Sequence, residues 1–144
     1  MGAVGDRSAS DADRPIVILG PTASGKSDVG MALAGELTLG PAARLGGAEI
    51  LAVDSMQVYR RMDIGTAKPD HHDRASVRHH GIDLAEPSED FTVAEYVRVA
   101  SGELDDMTLR RVRPILVAGT GLYLRALTDP MEMPGTWPEL REAW

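Results

Sequence analysis

The sequence of 144 residues contains no cysteine, and only 4% of its residues are aromatic. The absence of cysteine excludes disulfide bonds, zinc sites built from thiolates and a cysteine nucleophile. It is consistent with a reducing compartment, and we expect a cytoplasmic protein. Because aromatic side chains are scarce, the core has to be packed from Val, Leu, Ile, Ala and Met. The hydrophobic fraction of 43% is sufficient for such a core.

Long apolar runs are also missing from the sequence. The longest have the length of a buried strand and are too short to span a bilayer. The first residues are polar and lack the apolar stretch of a signal peptide. We therefore expect a soluble protein with no membrane association. Residues 1–14 are predicted to form a disordered leader and residues 15–144 one α/β domain.

The net charge of −7 argues against a protein that binds nucleic acid with its whole surface. The stretch 56–82 differs, since its five basic residues outnumber three acidic ones. These five are Arg60, Arg61, Lys68, Arg74 and Arg78. Such a cluster is either a local basic face or a solvated loop and helix surface.

All four histidines fall in the same stretch, as adjacent pairs at 71–72 and 79–80. A metal site is one interpretation of these pairs. Adjacent side chains on a helix, however, point in different directions. We therefore predict that the four are surface residues.

Short apolar runs alternate with segments of helical periodicity along the chain. Strands are predicted at residues 15–19, 49–53 and 114–118, the first of them buried. Helices are predicted after residue 27, at 70–80, over 91–113 and after residue 121, and residues 137–144 resemble the opening of a further helix. Residues 40–47 are predicted to form a loop, and residues 60–68 an exposed loop. Asp90 is expected to cap the third helix, and Gly102 to interrupt it. This order predicts an α/β fold with a parallel sheet covered by helices on both faces.

The stretch GPTASGKS at residues 20–27 matches the phosphate-binding pattern G-x-x-x-x-G-K-[ST], with a predicted strand before it and a helix after it. Its glycines allow backbone amides to turn towards a phosphate, and the helix N-terminus adds partial positive charge. Lys26 supplies a full positive charge, and the hydroxyl of Ser27 can be a ligand of Mg²⁺. We therefore predict a phosphate-binding P-loop made of Gly20, Pro21, Thr22, Ala23, Ser24, Gly25, Lys26 and Ser27.

Asp54 follows the second predicted strand, and three interpretations of it stay open. It can be the carboxylate that holds Mg²⁺ in a P-loop kinase or nucleotidase. It can be a general base across the cleft from the phosphates. It can also be a plain cap of a following helix. Physical reasoning from the residues alone does not separate the first two.

Four separated stretches resemble the tRNA dimethylallyltransferase family, also called tRNA isopentenyltransferase or IPP transferase. They are GPTASGKS at 20–27, DSMQVYRRMDIGTAKP at 54–69, HHGIDLAEPSEDFTVAEY at 79–96 and PILVAGTGLYLRAL at 114–127. They occur in the family's order and together make up about half of residues 15–127. The resemblance implies a P-loop NTPase-like fold. It also implies transfer of a dimethylallyl group from dimethylallyl diphosphate to the exocyclic amine of the adenosine beside the anticodon of tRNA.

The resemblance assigns roles to particular residues. The loop from Thr22 to Ser27 would wrap the diphosphate, with Mg²⁺ as cofactor. Asp54, Ser55, Met56 and Gln57 match the loop that meets the target adenosine, with Asp54 hydrogen-bonding the amine. Thr120 matches a further contact with tRNA, so the implied catalytic residues are Asp54, Lys26 and Thr120. The partners would be dimethylallyl diphosphate and the tRNA anticodon stem-loop, with the protein acting as a monomer and the basic stretch meeting the RNA backbone.

Members of this family continue well beyond the matching stretches, with a helical insertion and further helices. We therefore expect a truncated domain whose C-terminal part and insertion are incomplete or missing. Ala118 also stands where this family usually has glycine. Three alternatives remain: a P-loop kinase or nucleotidase for small molecules, a non-catalytic phosphate-binding remnant, and a related transferase that uses free adenine nucleotide.

Overall fold

The computed structural model describes residues 14–41, 43 and 46–129. Residues 1–13 of the predicted leader and the helix opening predicted at 137–144 lie outside the described residues. So does part of the predicted loop at 40–47.

The described residues form four strands and four helices in alternation. The strands are β1 (Ile16–Leu19), β2 (Ala48–Val53), β3 (His79–His80) and β4 (Arg113–Ala118). The helices are α1 (Lys26–Leu39), α2 (His71–Ser76), α3 (Val93–Leu109) and α4 (Gly121–Thr128). The strands make one parallel sheet in the order β1-β4-β2-β3.

The register brings the ends of three strands to one edge of the sheet. Ala118 at the end of β4 pairs with Leu19 of β1 and with Val53 of β2. The loops that follow these strands start at residues 20, 54 and 119, and they therefore begin side by side. In parallel sheets, ligands bind in the crevice outside the carboxyl ends of the strands.

Helices cover both faces of the sheet, as the sequence predicted. Alternate residues of β2 and β4 face opposite sides, since side chains in a strand point up and down in turn. On one face Ile50 and Ile115 pack with Ala34 of α1. On the other face Leu51 and Leu116 pack with α3 and α4. The central strands β2 and β4 therefore appear in the sequence as continuous apolar runs, which is why they could be predicted as strands.

Helix α3 is fixed to the sheet through Tyr96. Its ring lies 4.7 Å from that of Tyr123 in α4, and its hydroxyl donates a hydrogen bond to the carbonyl oxygen of Ala52 at 2.7 Å. Burial raises the pKa of Tyr96 above its ordinary value, so the hydroxyl stays protonated and remains a donor. Within the described part of the chain, no helix combines the length and the hydropathy needed to span a membrane.

Three local predictions were wrong. The helix predicted at 70–80 ends at Ser76, because Val77 is extended and Arg78 accepts a hydrogen bond from the amide of Ile50 in the sheet. The helix predicted over 91–113 is capped by Thr92 and not by Asp90. It also runs through Gly102 without interruption.

Strand β1 is less buried than predicted. Val17 is 45% exposed and Leu19 is 62% exposed. Among the described strands β1 is an edge strand paired only with β4, and the described helices cover the face of Ile18 rather than that of Val17.

Candidate active site

A cavity of about 520 Å³ lies where the loops after β1, β2 and β4 meet. One part of its lining is the glycine loop with the start of α1, residues 22–28. Apolar side chains of α1 and the sheet, among them Met31, Ile50 and Val117, form a second part. The remainder comes chiefly from the segment that follows β2, beginning with Asp54. The cavity therefore joins a polar cradle, an apolar patch and a carboxylate.

The glycine loop contains two residues in the left-handed region of backbone conformation. Gly25 has φ +80°, which favours glycine, and Ala23 also lies in the left-handed region with φ +61°. A Cβ atom at Gly20 would come within 2.9 Å of the hydroxyl of Ser24. Gly25 caps α1 without a side-chain hydrogen bond. The first amides of this helix therefore remain available to an anion in the cavity.

Lys26 is the first residue of α1 and turns back over the loop. Its ammonium group donates a hydrogen bond to the carbonyl oxygen of Pro21 at 2.6 Å. This places the positive charge over the loop that lines the cavity. The arrangement suits a diphosphate, because a positive charge and the first turn of a helix adjoin the same cavity.

Asp54 is held at the end of β2 by the loop that it begins. Its Oδ1 accepts hydrogen bonds from the amides of Met56 at 2.8 Å and Gln57 at 3.2 Å. These bonds are of the capping kind, but the segment that they stabilise is a turn and not an α-helix. The second oxygen, Oδ2, lies on the side of Gly119, which also lines the cavity.

Thr120 lies beside Ser55 and ties the loop after β4 to the loop after β2. Its hydroxyl oxygen accepts a hydrogen bond from the Ser55 amide at 3.1 Å. The amides of Gly119 and Thr120 both donate to the carbonyl oxygen of Val53. Neither Ser55 nor Thr120 lines the cavity, and the same is true of Gly20 and Pro21. The other residues predicted from the sequence as site residues all line it.

The segment after Asp54 forms a closed loop around the side chain of Gln57. This side chain is buried, and its amide nitrogen donates to the carbonyl oxygens of Thr66 at 3.0 Å and Ala67 at 3.1 Å. The far arm of the loop, residues 65–69, lines the cavity. Sequence reasoning described this arm only as exposed loop. Gly65, which has φ +79°, is the signal that a turn occurs here.

The side chain of Lys68 is buried, although residues 60–68 were predicted to be an exposed loop. Its side chain is 1% exposed, and its ammonium group contacts Tyr59 O at 2.6 Å, Asp83 at 2.9 Å and Asp63 at 3.0 Å. Asp83 also pairs with Arg74 at 2.8 Å. Burial raises the pKa of Asp83, but hydrogen bonds from the two cations outweigh this, and the pKa lies below its ordinary value.

Two of the four histidines are not the surface residues that the sequence predicted. His79 lines the cavity and has Nδ1 2.8 Å from the carbonyl oxygen of Val77, and burial lowers its pKa. His80 is buried between Glu49 at 2.7 Å and Glu103 at 2.6 Å. Both belong to β3, whose pairing with β2 buries His80 and leaves His79 half-buried. His71 and His72 are exposed, as predicted.

The sequence model of one protein family, described as IPP transferase, matches residues 57–144. The chain belongs to the IPP transferase family. The family resemblance inferred from four short stretches is therefore confirmed.

Curated relatives of the IPP transferase chain are named tRNA dimethylallyltransferases. The protein of that name from Bifidobacterium animalis subsp. lactis is 49% identical over 132 residues, which are 92% of this chain and 37% of the relative. A tRNA dimethylallyltransferase 1 from Citrifermentans bemidjiense is 50% identical over 127 residues, 88% of this chain and 39% of the relative. The chain thus spans about two fifths of the length of these relatives.

A solved structure agrees with these relatives. The crystal structure of a tRNA delta(2)-isopentenylpyrophosphate transferase from Staphylococcus epidermidis is 34% identical and matches with a TM-score of 0.71. The match covers 90% of this chain and 40% of that protein. The α/β fold of the P-loop NTPase type, predicted from the sequence, is confirmed by this likeness.

Proposed function

We propose that the protein is a tRNA dimethylallyltransferase. It moves a dimethylallyl group from dimethylallyl diphosphate to the exocyclic amine of the adenosine next to the anticodon. The observation that carries the proposal is the single cavity of about 520 Å³ that joins the phosphate cradle of residues 22–27 to the carboxylate of Asp54. Relatives that are 49% and 50% identical carry this name and support it.

The cradle serves the leaving group in this reaction. The bond between the allylic carbon and the diphosphate oxygen breaks, and negative charge collects on the diphosphate. Lys26 and the free amides at the start of α1 would stabilise that charge, an effect worth about 3 kcal/mol for a well-aimed donor. The apolar side chains of Met31, Ile50 and Val117 line the same cavity and suit a five-carbon hydrocarbon group.

Mg²⁺ is proposed as the cofactor on the chemistry of the donors present. Among the described residues there is no group of three or more His, Asp and Glu side chains placed to hold a metal. Mg²⁺ needs no such group, because it keeps several waters and is commonly bound by one or two protein oxygens together with phosphates. The hydroxyl of Ser27, in the first turn of α1, would hold it. When bound, the ion would neutralise charge on the diphosphate.

Asp54 serves the incoming amine. The lone pair of the adenine amine is delocalised into the ring, so the nitrogen is a weak nucleophile. One oxygen of Asp54 is held by two amides, and the other would accept a hydrogen bond from the amine and take its proton as the new carbon–nitrogen bond forms. Such general base catalysis is typically worth about 10² to 10⁴-fold. The adenosine has to leave its stack to reach the carboxylate.

The proposed acceptor is the anticodon stem-loop of tRNA, and the proposed location is the cytoplasm, with which the absence of cysteine is consistent. We propose a monomer. The exposed basic side chains of Arg60 and Arg61 would contact the RNA backbone, although both also pair with Glu86.

The decisive experiment follows radiolabel from dimethylallyl diphosphate into tRNA that carries the target adenosine. A curated relative of full length serves as the positive control. Transfer to tRNA by the chain supports the proposal. Transfer to free adenine nucleotide alone would mean that the acceptor is the free nucleotide and not tRNA. ATP hydrolysis without RNA and without prenyl transfer would identify a kinase or nucleotidase instead. Binding of dimethylallyl diphosphate without turnover on any acceptor would identify a non-catalytic remnant.

A further inference from the structure

Gly119, the first residue after β4, lies against the carboxylate of Asp54. A Cβ atom built on Gly119 would be 2.5 Å from Oδ2 of Asp54 and 3.5 Å from its carboxyl carbon. The first distance is shorter than real Cβ contacts, so one of the two groups would have to shift. Gly121, two residues later, has nothing within 4 Å of its Cβ position. Of these two glycines, only Gly119 makes the close contact.

The turn that contains Gly119 is held in place. The amides of Gly119 and Thr120 donate to the carbonyl oxygen of Val53 at 3.1 Å and 3.2 Å. The hydroxyl oxygen of Thr120 accepts from the amide of Ser55 at 3.1 Å. These bonds attach the turn to the residues on both sides of Asp54, so it does not move away without losing them.

The carboxylate of Asp54 is restrained as well. Its Oδ1 accepts the amides of Met56 and Gln57, and rotation away from Gly119 would break these bonds. With the turn and the carboxylate both fixed, a methyl group at residue 119 has no room. The missing side chain is what allows Asp54 to keep its orientation.

We propose that Gly119 is a positioning residue for Asp54, and this inference rests on the proposed function of Asp54 as the group that meets the amine. Gly119 acts through the space that it leaves empty, and its backbone φ lies outside the left-handed region that favours glycine. Shortening the side chain of Asp54 removes the atoms that lie close to the Cβ position of residue 119. The effects of substitutions at the two positions are therefore coupled. An alanine at 119 is harmful only while the carboxylate is present.

A double-mutant cycle in thermal stability tests this coupling without any assay of function. The variants are Gly119→Ala, Asp54→Ala and the double variant, with Gly121→Ala as the matched control. We expect Gly119→Ala to lower Tm by about 5 °C in the native background. In the Asp54→Ala background it should change Tm no more than Gly121→Ala does. Should Gly119→Ala fail to fold, recovery of folding in the double variant gives the same answer. Equal losses in both backgrounds would overturn the inference.

The catalytic arm measures prenyl transfer. Gly119→Ala should lower kcat at least tenfold while KM for dimethylallyl diphosphate stays unchanged, and Gly121→Ala should change neither. A rise in KM with kcat preserved would contradict a role in positioning Asp54. If the native protein transfers no prenyl group, the proposed function fails, whereas the stability cycle still decides whether the two residues are coupled.

Discussion

The carboxylate of Asp54 accepts a hydrogen bond from the main-chain amide of Met56 at 2.8 Å. The same oxygen accepts a second bond from the amide of Gln57. The loop after β2 therefore depends on an oxygen acceptor at this position and does not need a negative charge. An asparagine supplies the same acceptor, which makes it possible to separate the loop's structure from the proposed chemistry.

We predict that Asp54→Asn keeps the fold and the affinity for inorganic pyrophosphate but lowers prenyl transfer by at least about 10²-fold, because the amide cannot take a proton. Tm, pyrophosphate binding by calorimetry and label transfer measure the three effects. Asp54→Ala is the companion variant and should also lower Tm, since it removes the acceptor of both loop bonds. Full transfer by Asp54→Asn would remove Asp54 from the role of base.

Lys26 supplies the second prediction. Lys26→Met should weaken pyrophosphate binding by about 10 to 100-fold, because a charge-assisted hydrogen bond is typically worth about 1.5–3 kcal/mol. Calorimetric titration with pyrophosphate measures the change. Arg98→Met on the exposed side of α3 alters the net charge equally and should leave the affinity unchanged. Equal losses in both variants would mean that only overall charge matters.

Two glycines of α1 provide a matched pair for the packing of this helix. A Cβ atom at Gly30 would be 2.9 Å from a methyl group of Val117, whereas one at Gly35 would meet nothing within 4 Å. We predict that Gly30→Ala lowers the free energy of unfolding by about 1–3 kcal/mol. Gly35→Ala should raise it by about 0.5–1 kcal/mol, since alanine favours the helix. Denaturant titration measures both. Stabilisation by both changes would mean that α1 does not pack as closely on β4 as the structure shows.

Glu49 is expected to make stability depend on pH. Burial raises its pKa, but hydrogen bonds from Arg110 and His80 outweigh this, and the pKa lies below its ordinary value. A carboxyl of this kind stabilises the folded state above its unfolded pKa, and the contribution is lost as pH falls through the folded pKa. Glu49→Gln should therefore lower the free energy of unfolding by about 2 kcal/mol at pH 7.

The same reasoning predicts that the difference in the free energy of unfolding between the native chain and Glu49→Gln becomes smaller below about pH 4. Denaturant titrations between pH 3 and pH 7 measure it. Asp105→Asn, at an exposed position of α3, is the control and should show little difference at any pH. A difference for Glu49→Gln that does not change with pH would contradict the prediction.

The parts of the fold that local pattern determines were predictable from the sequence. β2 and β4 are buried on both faces, so their apolar runs stand out, and the glycine loop has a fixed spacing between Gly20, Gly25 and Lys26. The start of α3 was also readable in principle. Thr92 with Glu95 three residues later is a capping box, and that pattern favours Thr92 over Asp90.

The surroundings of His80 and Lys68 could not be predicted in this way. Glu49 reaches His80 only because β3 pairs with β2, and Asp83 reaches Lys68 only after the intervening chain turns back. Each of these side chains is buried beside a partner that lies far along the chain. Composition and periodicity describe neighbours in sequence, and they carry no information about such partners.

The burial of Lys68 makes the chemistry of its amine different from that of the only other lysine, Lys26. A reagent that acylates amines requires a free, solvated nitrogen. The side chain of Lys68 is 1% exposed, and its ammonium group has three oxygen neighbours. The ammonium group of Lys26 lies at an exposed position, so at low reagent ratios Lys26 is the lysine that becomes labelled. Pyrophosphate bound in the cradle should then protect Lys26 from labelling. Mass spectrometry of the single peptide that contains Lys26 measures this protection and so reports how fully the cradle is occupied.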